Sequence, residues 1–185
     1  MNKILDEGNL QFDFSGCPLV ADPVKFDAKN PNGMMGVDFV AETEHHMYFI
    51  EVKDYQNPHP YAQEHQQKEL EMLVATAKGK NEIGDDDPSA AKGSIFSLKI
   101  SQKLKDSLLR KYASGEAITK KAVYLLLINL DKLGSHERAL LKNKISGYIP
   151  TGLNGNQFTA FSSVTFDIVT AEQLKTYGIT CTAKH

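Results

Sequence analysis

The sequence predicts an α/β fold in which one mixed β-sheet is flanked by helices on both faces. Two segments, Gly36–Glu42 and Met47–Lys53, have the alternation and the Val, Ile, Phe and Tyr content of strands, and the polar connection between them is short enough for a hairpin. The segment Ala122–Asn129 is apolar at nearly every position, as expected of a central strand that is covered on both sides. Helical segments lie between and after these strands, which together indicates a sheet sandwiched by helices.

The other elements are predicted from the spacing of apolar residues and from capping residues. Apolar side chains recur at helical spacing in the long segments after the hairpin, and Ser135 and Thr170 stand where helix N-caps are expected. A turn-rich acidic stretch, 79–93, predicts a mobile insertion within a single domain that covers residues 1–185. The remaining predicted elements are the strands Leu10–Phe14, Val24–Phe26 and Ser163–Val169 and the helices Tyr61–Lys78, Ile95–Tyr112, Ser135–Tyr148 and Ala171–Tyr177.

The composition predicts a folded protein of the cell interior. Apolar residues make up 41% of the chain and charged residues 24%, which excludes wholesale disorder. The amino-terminal segment lacks the apolar core of a signal peptide, and no apolar run reaches membrane-spanning length. Cys17 and Cys181 lie far apart in sequence, which favours a reduced pair over a zinc site. We therefore expect a cytoplasmic protein that makes no membrane contact.

The net charge of −2 conceals an asymmetry along the chain. Residues 1–94 carry 17 acidic and 8 basic side chains, whereas residues 95–148 carry 4 acidic and 11 basic side chains. A basic segment in an otherwise acidic chain is typical of a polyanion-binding face, although the solvated faces of ordinary helices give the same pattern.

The predicted hairpin collects three charged side chains on one face. Side chains alternate across a strand, so Glu51 and Lys53 share a face, and Asp38 interrupts the apolar partner strand. A turn centred between Thr43 and Glu44 would set Asp38 roughly opposite the segment Tyr48–Glu51, which matches Glu51 only approximately. Two carboxylates in a partly dry setting repel each other unless a divalent cation or a shared proton neutralises them. Because oxygen ligands suit Mg²⁺ or Mn²⁺, we expect a metal site here.

Asp38, followed thirteen residues later by Glu51-Val52-Lys53, resembles the PD-(D/E)XK motif of the restriction-endonuclease-like nuclease superfamily. The resemblance implies a restriction-endonuclease-like fold: a helix, a three-stranded meander that carries the motif, a crossing helix, and a last strand and helix. It also implies a Mg²⁺-dependent endonuclease that hydrolyses phosphodiester bonds in DNA. In that family pattern Asp38 and Glu51 are catalytic metal ligands, the Val52 carbonyl is a further ligand, and Lys53 orients or activates water.

Three features depart from the family pattern. Val37 stands before Asp38, where the motif has proline. The early helix of the family carries an additional glutamate, whereas here Asp6 and Glu7 lie in a segment too short for that helix. An insertion, Tyr61–Gly93, separates the motif from the crossing helix.

The helix after this insertion supplies the residues expected to contact nucleic acid. In the family this helix often contributes a Gln or a Lys to the site, and Gln102 and Lys103 are the candidates, with Lys99 one turn earlier. No Q-x-x-x-Y spacing is present, because Asp106 stands four residues after Gln102. The resemblance thus implies DNA as the partner.

A second hypothesis is a non-catalytic member of the same fold, an immunity-type or adaptor module. The sequence E-x-K occurs often by chance, and on exposed strands it is usually a salt-bridged surface pair. The acidic segment 1–94 would then meet a basic protein partner, whereas the basic segment 95–148 favours the nuclease. A homodimer is compatible with either hypothesis.

Overall fold

The computed structural model of the protein describes residues 3–27, 33–56, 63–77, 88–115, 120–149 and 164–184, of which 88–94 are described by their backbone alone. In chain order the elements are the strands β1 (Ile4–Glu7), β2 (Leu10–Asp13), β3 (Val24–Lys25), β4 (Phe39–Glu42) and β5 (His46–Asp54), the helices α1 (Gln63–Ala77) and α2 (Pro88–Ala113), the strand β6 (Lys121–Asn129), the helix α3 (Ser135–Ser146), the strand β7 (Val164–Val169), the helix α4 (Ala171–Leu174), a 3₁₀ turn (Lys175–Tyr177) and the strand β8 (Thr180–Ala183). No helix in this described part of the chain combines the length and apolar character needed to cross a bilayer.

Five strands form a mixed sheet in the order β3-β4-β5-β6-β7. The strands β3, β4 and β5 are antiparallel neighbours, whereas β5, β6 and β7 run parallel to one another. Helices α1 and α2 lie in the first parallel crossover and α3 in the second, since parallel neighbours need a long connection. A smaller antiparallel sheet has the order β1-β2-β8.

The central strand β6 separates two hydrophobic cores because its side chains are apolar on both faces. Tyr124 and Leu126 belong to the core that the helices α1, α2 and α3 share with the large sheet. Leu125 and Leu127 face the other way and pack in the core that contains Phe12 of the small sheet. This two-sided burial explains the apolar run in the sequence.

The predicted arrangement of helices on both faces is correct for one face of the large sheet. On the second face the small sheet takes the place of a helical layer, with the short helix α4 beside it. The strands β1 and β8 were not predicted, because each has four residues and neither shows a buried alternation. The predicted α/β class is therefore confirmed, but the fold contains a second sheet that was not predicted.

The β4–β5 hairpin turns one residue later than predicted. Its register pairs Phe39 with Ile50, which centres the turn between Glu44 and His45. The hydroxyl of Thr43 accepts a hydrogen bond at 3.0 Å from the backbone N–H three residues on and closes this turn. Residues 38 and 51, the next positions on the two strands, consequently face each other.

Helix α2 begins at Pro88, seven residues before the predicted start at Ile95. Residues 88–93, which the composition assigned to the acidic insertion, are therefore helical, and residues 79–87 lie outside the described residues. Proline suits the first turn of a helix because its missing N–H would have no partner there.

The two predicted N-caps have different outcomes. Thr170 caps α4 as predicted, because its hydroxyl accepts the N–H of Gln173 and the Gln173 side chain accepts the N–H of Thr170. At α3 the N-cap is Gly134, which offers no side-chain hydrogen bond, and Ser135 is the first helical residue instead.

Helix α2 crosses the strands of the large sheet from β6 to β3. Near its middle the buried Tyr124 hydroxyl of β6 donates to the carbonyl oxygen of Ile100 at 2.9 Å. Towards its end Arg110 donates to the carbonyl oxygen of Phe26, just after β3, at 2.6 Å and lies 4.1 Å above the centre of the Phe26 ring. The residues between these two anchors face β5 and β4.

Gly178 is expected to tolerate no side chain. It has a positive φ of 75°, and a Cβ at this position would overlap the Gly16 carbonyl and lie 2.8 Å from the Cys17 nitrogen. Gly8 has a positive φ of 55° but open space around it. We expect Gly8→Ala to lower the free energy of unfolding by about 1 kcal/mol, through its backbone conformation alone. Gly178→Ala should cost about 2–4 kcal/mol, because overpacking adds to that strain.

Urea denaturation followed by circular dichroism measures both losses. Equal losses in the two variants would contradict the close packing of the 3₁₀ turn against the end of β2.

Candidate functional site

The β4–β5 hairpin brings Asp38 and Glu51 onto the face of the large sheet that helix α2 covers. Phe39 pairs with Ile50, and Asp38 and Glu51 are the next positions on the two strands. Their relative exposures are 4% and 0%. The two acidic side chains therefore lie side by side, nearly out of contact with water.

Asp38 is fixed by hydrogen bonds of its backbone, its side chain and its neighbour. Its carbonyl oxygen accepts the N–H of Phe26 at 2.8 Å, and its Oδ2 accepts the N–H of Val52 at 2.6 Å. The N–H of Val37 donates to the Ser107 hydroxyl of α2 at 3.0 Å. The backbone pairing of β4 with β5 ends at Phe39. The N–H of Val52, which would otherwise pair with a backbone carbonyl of a longer β4, donates to the Asp38 side chain instead.

Two ammonium groups meet the carboxylate of Glu51. Lys103 of α2 donates to Glu51 Oε1 at 2.6 Å and lies 3.7 Å from Asp38 Oδ1. The Nζ of Lys53 lies 3.3 Å from the same Glu51 oxygen. The second oxygen, Glu51 Oε2, is buried and has no hydrogen-bond partner among the described residues. A buried acceptor without a donor costs free energy. A cation or a donor group that contacted this oxygen would recover that cost.

Helix α1 contributes a further buried carboxylate, Glu69, which was not predicted. Lys53 donates to Glu69 Oε1 at 2.9 Å, and the Tyr55 hydroxyl donates to Oε2 at 3.4 Å. A signal was present in the sequence, since Glu69 lies four residues before the buried Leu73 and so occupies the apolar face of α1. Lys53 therefore lies between the carboxylates of Glu51 and Glu69.

A second group of carboxylates adjoins Asp38. Glu7 at the end of β1, Asp27 after β3 and Asp38 offer oxygen atoms that all lie within 4.8 Å of one another. Lys25 pairs with Glu7 Oε2 at 2.8 Å, and Asp27 Oδ1 is buried without a hydrogen-bond partner among the residues described. Glu7, which a strand of the small sheet carries, therefore lies beside Asp38 in the site.

The electrostatics of the cluster disfavour charge on two of its acids. Burial raises the pKa of Asp38 well above its usual range, and the negative charge of Glu51 raises it further against the opposing charge of Lys103. Burial, followed by the charge of Glu7, raises the pKa of Asp27. Both pKa shifts therefore come first from poor hydration and second from the negative charge of neighbouring carboxylates.

The same carboxylates favour the charged form of the two lysines. Burial by itself would lower the pKa of Lys103, but the carboxylates of Glu51 and Asp38 outweigh it and raise that pKa. For Lys53 burial is likewise outweighed by Glu51 and Glu69, so its pKa is raised as well. Both side chains are therefore ammonium ions at neutral pH.

Of the other residues expected in the site, Val52 lies beside Asp38, whereas Gln102 and Lys99 lie outside the group of carboxylates. The N–H of Val52 faces the Asp38 carboxylate, and the Val52 carbonyl faces the same edge because both groups of a strand residue point one way. Gln102 is exposed and donates to Asp106. Lys99 is half-buried one turn before Lys103. In the described part of the chain, Lys103 is thus the one predicted nucleic-acid contact that joins the carboxylates.

The donor set fits a hard divalent cation. Three buried oxygens of this cluster lack a hydrogen-bond donor among the described residues, and all three are carboxylate oxygens: Glu51 Oε2, Asp27 Oδ1 and Glu7 Oε2, the last of which lies 2.8 Å from the Lys25 ammonium group. Mg²⁺ and Mn²⁺ prefer oxygen ligands. The carboxylates whose oxygens lie close enough together to share such a cation are Glu7, Asp27 and Asp38, and Glu51 lies beside Asp38, with Lys103 between them.

Comparison of the chain with family models, with curated proteins and with solved structures finds no match in any of the three.

Asp38→Asn is expected to stabilise the metal-free protein. The raised pKa of Asp38 means that the folded protein binds this proton more tightly than the unfolded chain does, so wild-type stability falls as the pH rises through that pKa. Asparagine keeps an oxygen for the N–H of Val52 and removes the charge. The gain should be of the order of 1 kcal/mol above the raised pKa and should shrink as the pH falls through that pKa towards about 4, the usual range of an aspartate, because Asp38 of the wild type becomes protonated.

Urea denaturation in EDTA across this pH range measures the effect. The matched variant Lys103→Met should have the opposite sign, because it leaves the buried Glu51 with one ammonium group fewer. A loss of stability in Asp38→Asn at a pH above the raised pKa would contradict the disfavoured charge on Asp38.

Proposed function

We propose that the protein is a Mg²⁺- or Mn²⁺-dependent nuclease with a restriction-endonuclease-like fold, which hydrolyses phosphodiester bonds in DNA. The observation that carries the proposal is the convergence of Asp38, Glu51 and Lys53 from the hairpin with Lys103 from the crossing helix. These are the residue types that a D…ExK nuclease needs at one place.

The order of the elements supports this proposal. An antiparallel meander, β3-β4-β5, carries the acidic residues, a helix then crosses the sheet, and a parallel strand and a helix follow. From the meander onward this is the order that the motif implies, with α1 as an additional helix, whereas the described residues before the meander form strands in place of the helix of the family pattern. The early acidic residue differs from the family pattern, because Glu7 comes from a strand and not from a helix.

Four carboxylates support a resident cation. Asp38 and Glu51 would hold it, with Glu7 and Asp27 as further oxygen ligands and the Val52 carbonyl at the same edge. When bound, a divalent cation stabilises the negative charge that develops on the phosphate and lowers the pKa of water.

Lys53 and Lys103 are the groups that would act on the phosphate. Their side chains are 14% and 19% exposed, so both reach solvent from within the cluster. An ammonium ion donates hydrogen bonds to phosphate oxygens and to water. Because its pKa is raised, Lys53 in this arrangement orients water and stabilises charge but does not accept a proton.

The charge distribution supports a polyanionic substrate. Residues 95–148 carry 11 basic and 4 acidic side chains, and this segment contains the helix that supplies Lys103. Phosphate contacts from such a segment would make binding strongly dependent on salt concentration.

One observation favours a second candidate function, a protein-binding module without catalysis. Glu51 is already neutralised by Lys103 and Lys53, and Glu69 by Lys53. A buried charge network of this kind also occurs as a structural feature. Metal binding distinguishes the two functions, because a complete network gains nothing from a cation.

Mn²⁺ is expected to stabilise the wild type through binding to the native state. We expect a gain of about 1–3 kcal/mol at millimolar Mn²⁺, which corresponds to a rise in Tm of roughly 3–10 °C. Asp38→Ala should lose this rise. The matched control is Glu172→Ala, which removes an exposed carboxylate that is not part of the cluster and should keep the rise in Tm.

Thermal melts with EDTA and with Mn²⁺ measure these shifts. An equal rise in wild type and Asp38→Ala would mean that the ion binds elsewhere, and would favour the protein-binding module.

The cleavage experiment separates the roles of the motif residues. Lys53→Ala should lower DNA cleavage by about 100-fold or more and leave Mn²⁺ binding nearly intact, because the ammonium acts on water and phosphate. Glu51→Ala should weaken Mn²⁺ binding as well as cleavage, because it removes one of the four carboxylates and the shared partner of both lysines. Lys68→Ala, which removes an exposed lysine on α1, is the control.

The substrates are supercoiled plasmid, linear duplex and single-stranded DNA with Mg²⁺ at low salt, where phosphate contacts are strongest. Absence of metal-dependent cleavage, together with absence of DNA retention in a gel-shift assay, would favour the protein-binding module. Cleavage that survives every substitution would indicate a contaminating nuclease.

A further inference from the structure

We propose that Glu69 is a positioning residue, which holds the ammonium group of Lys53 in the orientation from which it acts on water and phosphate. The inference rests on the proposed function and adds to the site a residue of helix α1, outside the D…ExK motif. Its basis is the set of contacts that Lys53 and Glu69 make.

Lys53 needs an anchor besides Glu51. A lysine side chain has a flexible four-carbon stem and a compact charge, so a single ionic contact leaves its ammonium group poorly oriented. The Glu51 oxygen that Lys53 approaches at 3.3 Å already accepts a 2.6 Å hydrogen bond from Lys103. The closer contact of Lys53 is the 2.9 Å hydrogen bond to Glu69.

Glu69 is itself held firmly. It is 6% exposed, and Leu73 anchors the next turn of α1 in the hydrophobic core. The Tyr55 hydroxyl donates to its second oxygen, so each carboxylate oxygen has one donor. Tyr55 is fixed in turn because its N–H donates to the Asn129 carbonyl of β6 at 3.1 Å.

Loss of Glu69 would therefore change the direction of the Lys53 side chain. The ammonium group would keep one carboxylate oxygen, which it shares with Lys103, and the two like charges would repel each other. A catalytic group displaced by about 1 Å can cost about 100-fold in rate. An ion pair that only docks α1 onto the sheet would change stability and leave the rate per folded molecule unchanged.

The test measures kcat and KM for plasmid cleavage at saturating Mg²⁺, with the folded fraction of each variant taken from thermal melts. Glu69→Ala should lower kcat by about 10- to 100-fold and change KM by less than about twofold. Glu69→Gln keeps an oxygen that can accept from Lys53 and should recover part of the loss. Glu64→Gln, which alters an exposed ion pair on the same helix, should match the wild type.

A second measurement requires no cleavage. In ¹⁵N-lysine-labelled metal-free protein, an ammonium group held between two carboxylates exchanges slowly and gives a resolved NMR signal, which Lys53→Arg identifies. This signal should be present in the wild type and in Glu64→Gln and lost in Glu69→Ala.

The two measurements distinguish a failure of the proposed function from a failure of the positioning role. If the wild type cleaves no DNA, the proposed function is wrong, and loss of the Lys53 signal in Glu69→Ala still supports the positioning. A Lys53 signal that is unchanged in Glu69→Ala would overturn the inference. A kcat that falls only in proportion to the folded fraction would overturn it as well.

Discussion

A carboxylate that is removed from water must be met by positive charge, and the fully buried Glu51 is met by Lys103 of α2 and Lys53 of β5. Lys103 reaches it because α2 crosses the sheet between its anchors at Tyr124 and Arg110. The position of α2, the longest described helix, thus brings Lys103 to Glu51, and the charge of Glu51 in turn helps to hold α2 on the sheet. Loss of Lys103 would leave the buried Glu51 with Lys53 alone, and loss of Glu51 would leave Lys103 with Asp38 at 3.7 Å.

The elements that could be predicted are those whose pattern is local. The apolar run of β6 and the alternation of β5 are visible in the sequence because both faces of β6 and one face of the hairpin are buried. The small sheet could not be predicted, because β1 and β8 are short, half-exposed strands, and the pairing of β8 with β2 joins residues far apart in sequence. Covering the second face of the large sheet is a tertiary property that no short window encodes.

The same division holds for the candidate site. Asp38 and Glu51 could be placed together from strand alternation, although the turn chemistry at Thr43 moved the register by one residue. Lys103 was found through the motif resemblance, which directs attention to the crossing helix. Glu69 was missed because a lone glutamate on a helix usually faces solvent. Glu7 was considered only as part of a segment too short for the family's early helix, because its strand meets Asp38 through the packing of two sheets.

A comparison of charges indicates what the site still requires. Among the described residues, the carboxylates of the cluster outnumber the ammonium groups that touch them: Glu7, Asp27, Asp38, Glu51 and Glu69 against Lys25, Lys53 and Lys103. With all five acids ionised, the excess is two negative charges, which is the charge of one divalent cation. Ionisation is disfavoured at Asp38 and Asp27, whose pKa values are raised first by burial and then by neighbouring carboxylates, whereas both oxygens of Glu69 have donors. A structural charge network would gain from balance, whereas a site that binds a cation gains from this excess, and for that reason the nuclease is the stronger of the two proposals.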